Sequence, residues 1–376
     1  MDRITLLLIA SMLVLACGPT AAPAPPAPAG GNGGAAPAAP SAPVSDAAYR
    51  QQVIDAARAE GEVNAALHTS WTPEGIQRLE DALEREYGVR IRINYTPIVN
   101  YGQRSAELLT EVGAGATPSF DVYQISDVTA AVLRRVGAVE IVNWAPLLPA
   151  GTPSGSMAGE GAYVVVYTDH FGLMSDPTTI PDADVPRSLK DLASSRWRGK
   201  VMLFVSANVY LPWVIRLGKE ETYAALRALV QNGAVADTYP NQLTRFAARE
   251  YPLATIGVTF QQIAQARGIP SRFTPLDFSS NTDHYAFVAQ RAAHPNAAKL
   301  LAAVLAGPEG QRLEVEYIGV GNRYYPDNRE SKLEQEALAA GFPSFAWADN
   351  PDAIAFVLSP EGEDVQREME RILKGG

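Results

Sequence analysis

Over residues 63–137 the apolar residues change their spacing again and again, and this limits the possible folds more than any other feature of the chain. Residues 63–68 form an apolar run of strand length. Thr72 then caps a helix with Pro73 at its first position, where a missing N–H costs nothing. Ile76, Leu79, Leu83 and Tyr87 recur at helical spacing and mark one buried face, which Gly88 closes. Val89, Ile91, Ile93 and Tyr95 alternate with Arg90, Arg92 and Asn94, the pattern of a half-buried strand. A helix follows near 103–112, a strand over 120–125 and a helix over 128–136, ended by Gly137. Strands alternating with helices predict a parallel sheet covered by helices. A further helix over 45–60, closed by Gly61, precedes the series.

The apolar stretches 163–167 and 171–174 are suited to carry the chain into a second lobe. A second α/β set follows. It has strands over 200–205 and 254–259 and helices over 210–217, 221–231 and 241–250. After a polar stretch at 279–284, the strand expected over 285–289 reads as the return crossing. Helices over 296–306, 308–317 and 361–373 complete the chain. No internal repeat is visible. A body beginning at Asp46 also exceeds the roughly 250–300 residues at which single cores stop growing, so two lobes are expected.

Composition narrows the function. A hydrophobic content of 47% with 19% charged residues is that of an ordinary globular protein. A net charge of −10 argues against nucleic acid, which requires clustered Lys and Arg. The N-terminus adds an address. Residues 4–16 are apolar except Thr5 and Ser11, too short for the roughly 20 residues of a membrane span. The length suits a signal peptide. The run ends Leu13-Val14-Leu15-Ala16-Cys17, which resembles a bacterial lipobox, so Cys17 is expected to be lipidated. Cys17 is the single cysteine, which excludes internal disulfides. Residues 18–45 are nearly all Ala, Pro and Gly and read as a tether.

Several segments resemble one family. Val185-Pro186-Arg187-Ser188-Leu189-Lys190-Asp191-Leu192, then Trp197-Arg198-Gly199-Lys200-Val201, is similar to a stretch of ABC-transporter solute-binding proteins. The subgroup includes ferric-iron, thiamine, putrescine and hexose-phosphate binders. His294-Pro295-Asn296-Ala297-Ala298-Lys299-Leu300, followed by Gly307-Pro308-Glu309-Gly310-Gln311, matches that family closely. Ser119-Phe120-Asp121-Val122-Tyr123 resembles one of its strands. The likeness runs from about Gly61 to Tyr325, and the last fifty or so residues match poorly. It implies an α/β, two-lobe type 2 periplasmic binding protein fold, each lobe a mainly parallel sheet covered by helices, joined by hinge strands. The expected divisions are a signal peptide at 1–16 and the lipidated cysteine with its tether at 17–45. Lobe 1 is then 46–167 with 281–325, and lobe 2 is 168–280 with 326–376. The resemblance also implies an ABC permease as partner, no cofactor, a monomer, and cleft closure by hinge bending.

In open parallel sheets ligands sit beyond the carboxyl ends of strands, against helix N-termini. Ser70, Trp71 and Thr72 follow the first strand; Trp71 could cover a ligand face, or the trio could be an ordinary helix cap. Ser126 and Asp127 follow the strand at 120–125, where Asp127 also reads as a plain N-cap. Ser206, Ala207 and Asn208 form a small-residue turn that resembles the one holding an anion in the iron binders. Asn241 matches an anion-contacting Asn of those relatives, and Tyr210 is either a cleft residue or core. Iron binders carry adjacent tyrosines where this chain has Thr259-Phe260-Gln261-Gln262. With Thr259 and Gln261 there, an organic or oxyanionic ligand is expected. A ferric ion would need non-tyrosine ligands or a synergistic anion. His68, His170, His284 and His294 lack metal-ligand spacing, so no metal site is assigned. A hydrolase is the rival class, but no G-x-S-x-G or H-E-x-x-H occurs. A binding protein that signals to a membrane sensor is a second rival.

Overall fold

The computed structural model describes residues 45–98 and 101–375, so the apolar leader, Cys17 and nearly all of the tether lie outside the described residues. The first α/β series forms as its spacing predicts. Helix α1 (Asp46–Glu60) starts at Ser45, whose hydroxyl accepts from Ala48 N, and ends at Gly61, which takes the left-handed conformation with φ 69°. Strand β1 (Glu62–His68) leads to α2 (Pro73–Tyr87), capped by Thr72 and stopped by Gly88. Then come β2 (Arg92–Ile98), α3 (Tyr101–Gly113), β3 (Val122–Ser126) and α4 (Asp127–Arg135).

After β4 (Met157–Ala158), the long strand β5 (Tyr163–Ser175) leads to the second series. This contains α5 (Leu189–Leu192), β6 (Val201–Phe204), α6 (Leu211–Leu217), α7 (Lys219–Gln231) and β7 (Val235–Asp237). It continues with α8 (Tyr239–Ala247), β8 (Leu253–Gly257), α9 (Val258–Ala266) and β9 (Arg272–Thr274). Strand β10 (Ser279–Val288) returns to the first series, followed by α10 (Pro295–Ala306) and α11 (Pro308–Tyr317). The chain ends with α12 (Arg329–Ala339), β11 (Ser344–Ala346), α13 (Pro351–Val357) and α14 (Pro360–Leu373).

Four expectations are corrected. The strand read from Val89 begins at Arg92, because pairing with β1 starts only at Glu62↔Arg92; Val89 and Ile91 are buried on the approach to it. The stretches 163–167 and 171–174 are one strand, since Thr168 to His170 keep their partners on β10. The polar stretch 279–284 is itself strand, its side chains buried among other polar groups. The strand expected over 254–259 stops at Gly257, and Val258–Ala266 is a helix that the sequence reading did not anticipate.

Among the described residues the strands form one sheet with the main order β2-β1-β3-β10-β5-β8-β6-β7. β1, β2 and β3 are parallel, as are β6, β7 and β8, while in the centre β5 and β10 run antiparallel to each other and to β8 and β3, and β11 pairs with β10 in parallel. The apolar core divides accordingly. One cluster joins Leu67, Leu79 and Leu83 to α10, and a second on the sheet's other face contains Tyr123, Leu133 and Phe287. Two more gather residues of the second series, around Trp213 and Phe278 and around Met202 and Ile256. A fully buried Leu such as Leu79 contributes roughly 1.5–3 kcal/mol.

The segments that carry the family resemblance have structural work in this fold. Buried Asp121 accepts hydrogen bonds from Asn64 N (2.8 Å) and His294 N (2.9 Å), tying β1 to the start of α10. Glu60 accepts from Ala297 N (2.7 Å) and from the Asn296 side chain (2.7 Å), so the end of α1 caps the N-terminus of α10.

Candidate ligand-binding cleft

Strand register locates the cleft. On β5, Tyr167 lies level with His284, which pairs with Ser126 at the carboxyl end of β3. Four residues on, Phe171 pairs with Gly257 at the carboxyl end of β8. The first series and the second therefore point their strand ends at each other across Thr168, Asp169 and His170. A ligand between these ends can touch both series at once, which matches the general position of sites in open α/β sheets.

On the first side stand His68, Tyr101, Gln124, Tyr167 and His284. The Tyr101 and Tyr167 hydroxyls are 3.0 Å apart. His284 stacks on Tyr167, with ring centroids 4.1 Å apart, and lies 5.6 Å from Tyr101. Gln124 accepts from His68 N (2.7 Å) and donates to Glu314 (3.0 Å), whose other carboxylate oxygen is buried without a partner. On the second side, Phe204 and Tyr239 stack at 3.7 Å, and Phe260 lies 4.8 Å from Tyr239. Asp169 stands between the two groups and influences Tyr101, Tyr167 and Tyr239 electrostatically.

Burial sets the protonation of this site. It pushes the Asp169 carboxyl up to about 6, against hydrogen bonds from Thr259, His170 and Val258 that pull it down. It lifts Glu314 well above the usual carboxyl range and raises the Tyr101 and Tyr167 phenols. It drops His68 to about 4 and His284 to about 3, so both imidazoles are neutral at neutral pH.

The residues expected at the site from sequence are distributed as follows. Trp71 is buried against Tyr317, with ring centroids 5.6 Å apart and its indole N–H unpartnered. Thr72 caps α2 through Gly75 N. Ser70 N donates to the His68 ring at 3.2 Å, next to the cluster. Ser126 bonds Thr129 at 3.1 Å, and Asp127 is buried, accepting from Val128 N and Asp283 N. Ser206 donates to Asn208 on an exposed turn, beside buried Ala207. Tyr210 is fully buried between Phe171 and Trp213 and bonds Thr255, which makes it core. Asn241 is exposed and donates to Asp237 at 2.8 Å. Thr259 donates to Asp169 at 3.1 Å, whereas Gln261 is buried in α9, where it bonds Ser271 and Arg329.

Of the residues read from sequence, Ser70 and Thr259 lie beside this candidate cluster, and Tyr101, Tyr167, Asp169, Tyr239, His284 and Glu314 were not singled out. The available signal was positional. Tyr167 closes the stretch read as a lobe crossing, and His284 closes the polar stretch before the return.

Residues 133–334 match the family described as bacterial extracellular solute-binding proteins. The chain belongs to this family. Membership makes it a binding protein of the extracytoplasmic side. Among the described residues no helix is long and apolar enough to cross a membrane. Solved structures similar to this solute-binding protein share its fold at low identity. One is FutA (IdiA) from Trichodesmium in complex with iron and citrate, 14% identical with a TM-score of 0.64, covering 83% of this chain and 99% of that one. Another is iron-bound HitA from Pseudomonas aeruginosa, 18% identical with a TM-score of 0.60 and the same coverage. A third is the substrate-binding protein of an ABC transporter from Agrobacterium tumefaciens, 12% identical with a TM-score of 0.66, covering 83% and 94%. The fold is that of two-lobe type 2 periplasmic binding proteins. No curated protein matches the sequence.

Proposed function

We propose that the protein captures a small organic ligand between its lobes and delivers it to an ABC permease, held at the membrane by a lipid on Cys17. The observation that carries this reading is the meeting of opposed strand ends at Thr168 to His170, lined by Tyr101, Tyr167, Tyr239 and His284. The lobes of this reading are 46–167 with 281–325, and 168–280 with 326–376. The two sets of core clusters support this division for the most part, although Val258 packs in the first, and β5 and β10 are taken as the hinge strands. Closure needs contacts from both lobes, because a ligand bound equally well by open and closed forms shifts nothing. The aromatic faces supply area, and the phenol, amide and carboxyl groups supply orientation.

A ferric ion is the second reading, favoured by the 3.0 Å approach of the Tyr101 and Tyr167 hydroxyls and by the iron-bound neighbours. Burial weighs against it, since it raises both phenols and disfavours phenolate.

Thermal-shift screening tests the main reading. A ligand at 100 times its Kd stabilises by about 2.7 kcal/mol. Small-angle scattering should show compaction with the hit, and Tyr101→Ala should weaken binding at least tenfold with the fold intact. A hit that binds Tyr101→Ala unchanged and causes no compaction would place the site elsewhere.

A further inference from the structure

We propose, resting on the cleft reading above, that the ligand carries a positively charged nitrogen, an ammonium or guanidinium group, seated against Asp169 within the Tyr101, Tyr167 and Tyr239 rings. The first support is the state of the helix N-termini, the usual seats for anions in such clefts. In this chain they already hold the protein's own carboxylates. Asp169 accepts from Thr259 N at 3.3 Å, at the start of α9. Asp237 accepts from Thr238 N at 2.8 Å, at the start of α8. Asp127, first residue of α4, accepts from Val128 N at 2.7 Å. An incoming anion would find these N–H groups already taken by carboxyl groups.

The second support is the absence of a basic partner at the site's carboxyl groups. Asp237 has Arg245 at 3.5 Å, and buried Asp283 has Arg323 at 3.2 Å. Among the described ion pairs, neither Asp169 nor Glu314 has a basic partner. Both act on the same two phenols, Tyr101 and Tyr167. Glu314 has no exposed surface and leaves one carboxylate oxygen unpartnered, and the His284 ring stacked on Tyr167 leaves its Nδ1 unpartnered. The two imidazoles are neutral and supply no positive charge. The groups that face Asp169 are therefore the Thr259 hydroxyl and the Thr259, Val258 and His170 N–H groups, with the phenols of Tyr101, Tyr167 and Tyr239 within electrostatic reach. A cation supplies the counter-charge that Asp169 lacks, and ring faces attract it further.

Proton linkage gives a distinguishing readout. Burial favours the neutral forms of Asp169 and Glu314, and a bound cation favours their carboxylates. Cation binding should release protons, and affinity should fall as pH drops through about 6, where Asp169 takes up its proton.

The experiment is titration calorimetry of the intact protein in buffers of different ionisation enthalpy. The probes are alkyl diamines, choline and guanidinium compounds, set against matched carboxylates, inorganic phosphate and ferric citrate. At least one organic cation should bind with proton release. Asp169→Asn, which keeps an acceptor for Thr259, should weaken it tenfold or more. Glu314→Gln should reduce the released protons. Binding only by anions, or by ferric citrate, overturns the inference, as does a cation that binds Asp169→Asn and Glu314→Gln unchanged. A panel in which no cation binds also overturns it. A neutral or anionic ligand that compacts the protein would leave the solute-binding reading standing while refuting the charge assignment.

Discussion

Arg323→Met removes the cation at the centre of the crossing between the two halves of the sheet. The Arg323 guanidinium is 3.2 Å from Asp283, 3.6 Å from Glu334 and 3.4 Å from Asp349. Asp349 is largely exposed, and that pair adds little, about 0–1 kcal/mol. Asp283 differs, because its side chain has no exposed surface and sits on β10 beside Asp127, and among the described residues the Thr168 hydroxyl at 2.7 Å is its one other side-chain donor. Leaving a buried charge without its partner costs about 3–5 kcal/mol. At about 2–4 °C per kcal/mol for domains of this order of size, the Tm should fall by roughly 6–20 °C. The sign with pH follows from Asp283, whose folded pKa is already raised by burial despite Arg323. Removing the arginine raises it further, so the folded state binds a proton that the unfolded state releases. The penalty should be full at pH 7 and shrink as pH falls toward 5. Calorimetry of Arg323→Met, Asp283→Asn and the double variant completes the cycle, and the double variant should recover most of the loss. A loss below about 1 kcal/mol at pH 7, no pH dependence, or additive single losses would refute the reasoning.

Glu60→Ala removes the carboxylate that accepts from Ala297 N and Asn296, and should cost about 0.5–2 kcal/mol in urea unfolding with an unchanged m-value. Cys17→Ser should move the protein from the membrane fraction to the soluble fraction, and a mutant that still sediments with membranes contradicts the lipid anchor. Ferric salt, with or without citrate or phosphate, should give no phenolate charge-transfer band, because burial holds Tyr101 and Tyr167 protonated. A visible band lost in Tyr167→Phe would reverse that conclusion.

Local physics made much of this fold legible. Helix α2 is written in Thr72, Pro73, the spacing of Ile76, Leu79 and Leu83, and Gly88, because caps and periodicity act within a few residues. The same holds for α1, for α10 and for the alternation that predicts a parallel sheet. Failures came where distant partners override local signals. The polar run Ser279–His284 has no strand-like alternation, yet it lies in the centre of the sheet because Thr168, Arg323 and Glu334 satisfy its side chains and Asp127 accepts from its Asp283 N–H. Helix α9 begins at Val258 with Asp169 serving its N-terminus from ninety residues away. The candidate site shares that origin: Tyr101, Asp169, Tyr239 and Glu314 are scattered along the chain, on α3, β5, α8 and α11. The sequence by itself determined the kind of fold and the family, because those rest on spacing and on short structural segments. Tertiary structure alone decided which carboxyl groups lack a counter-charge, because desolvation and pairing depend on every neighbour in space.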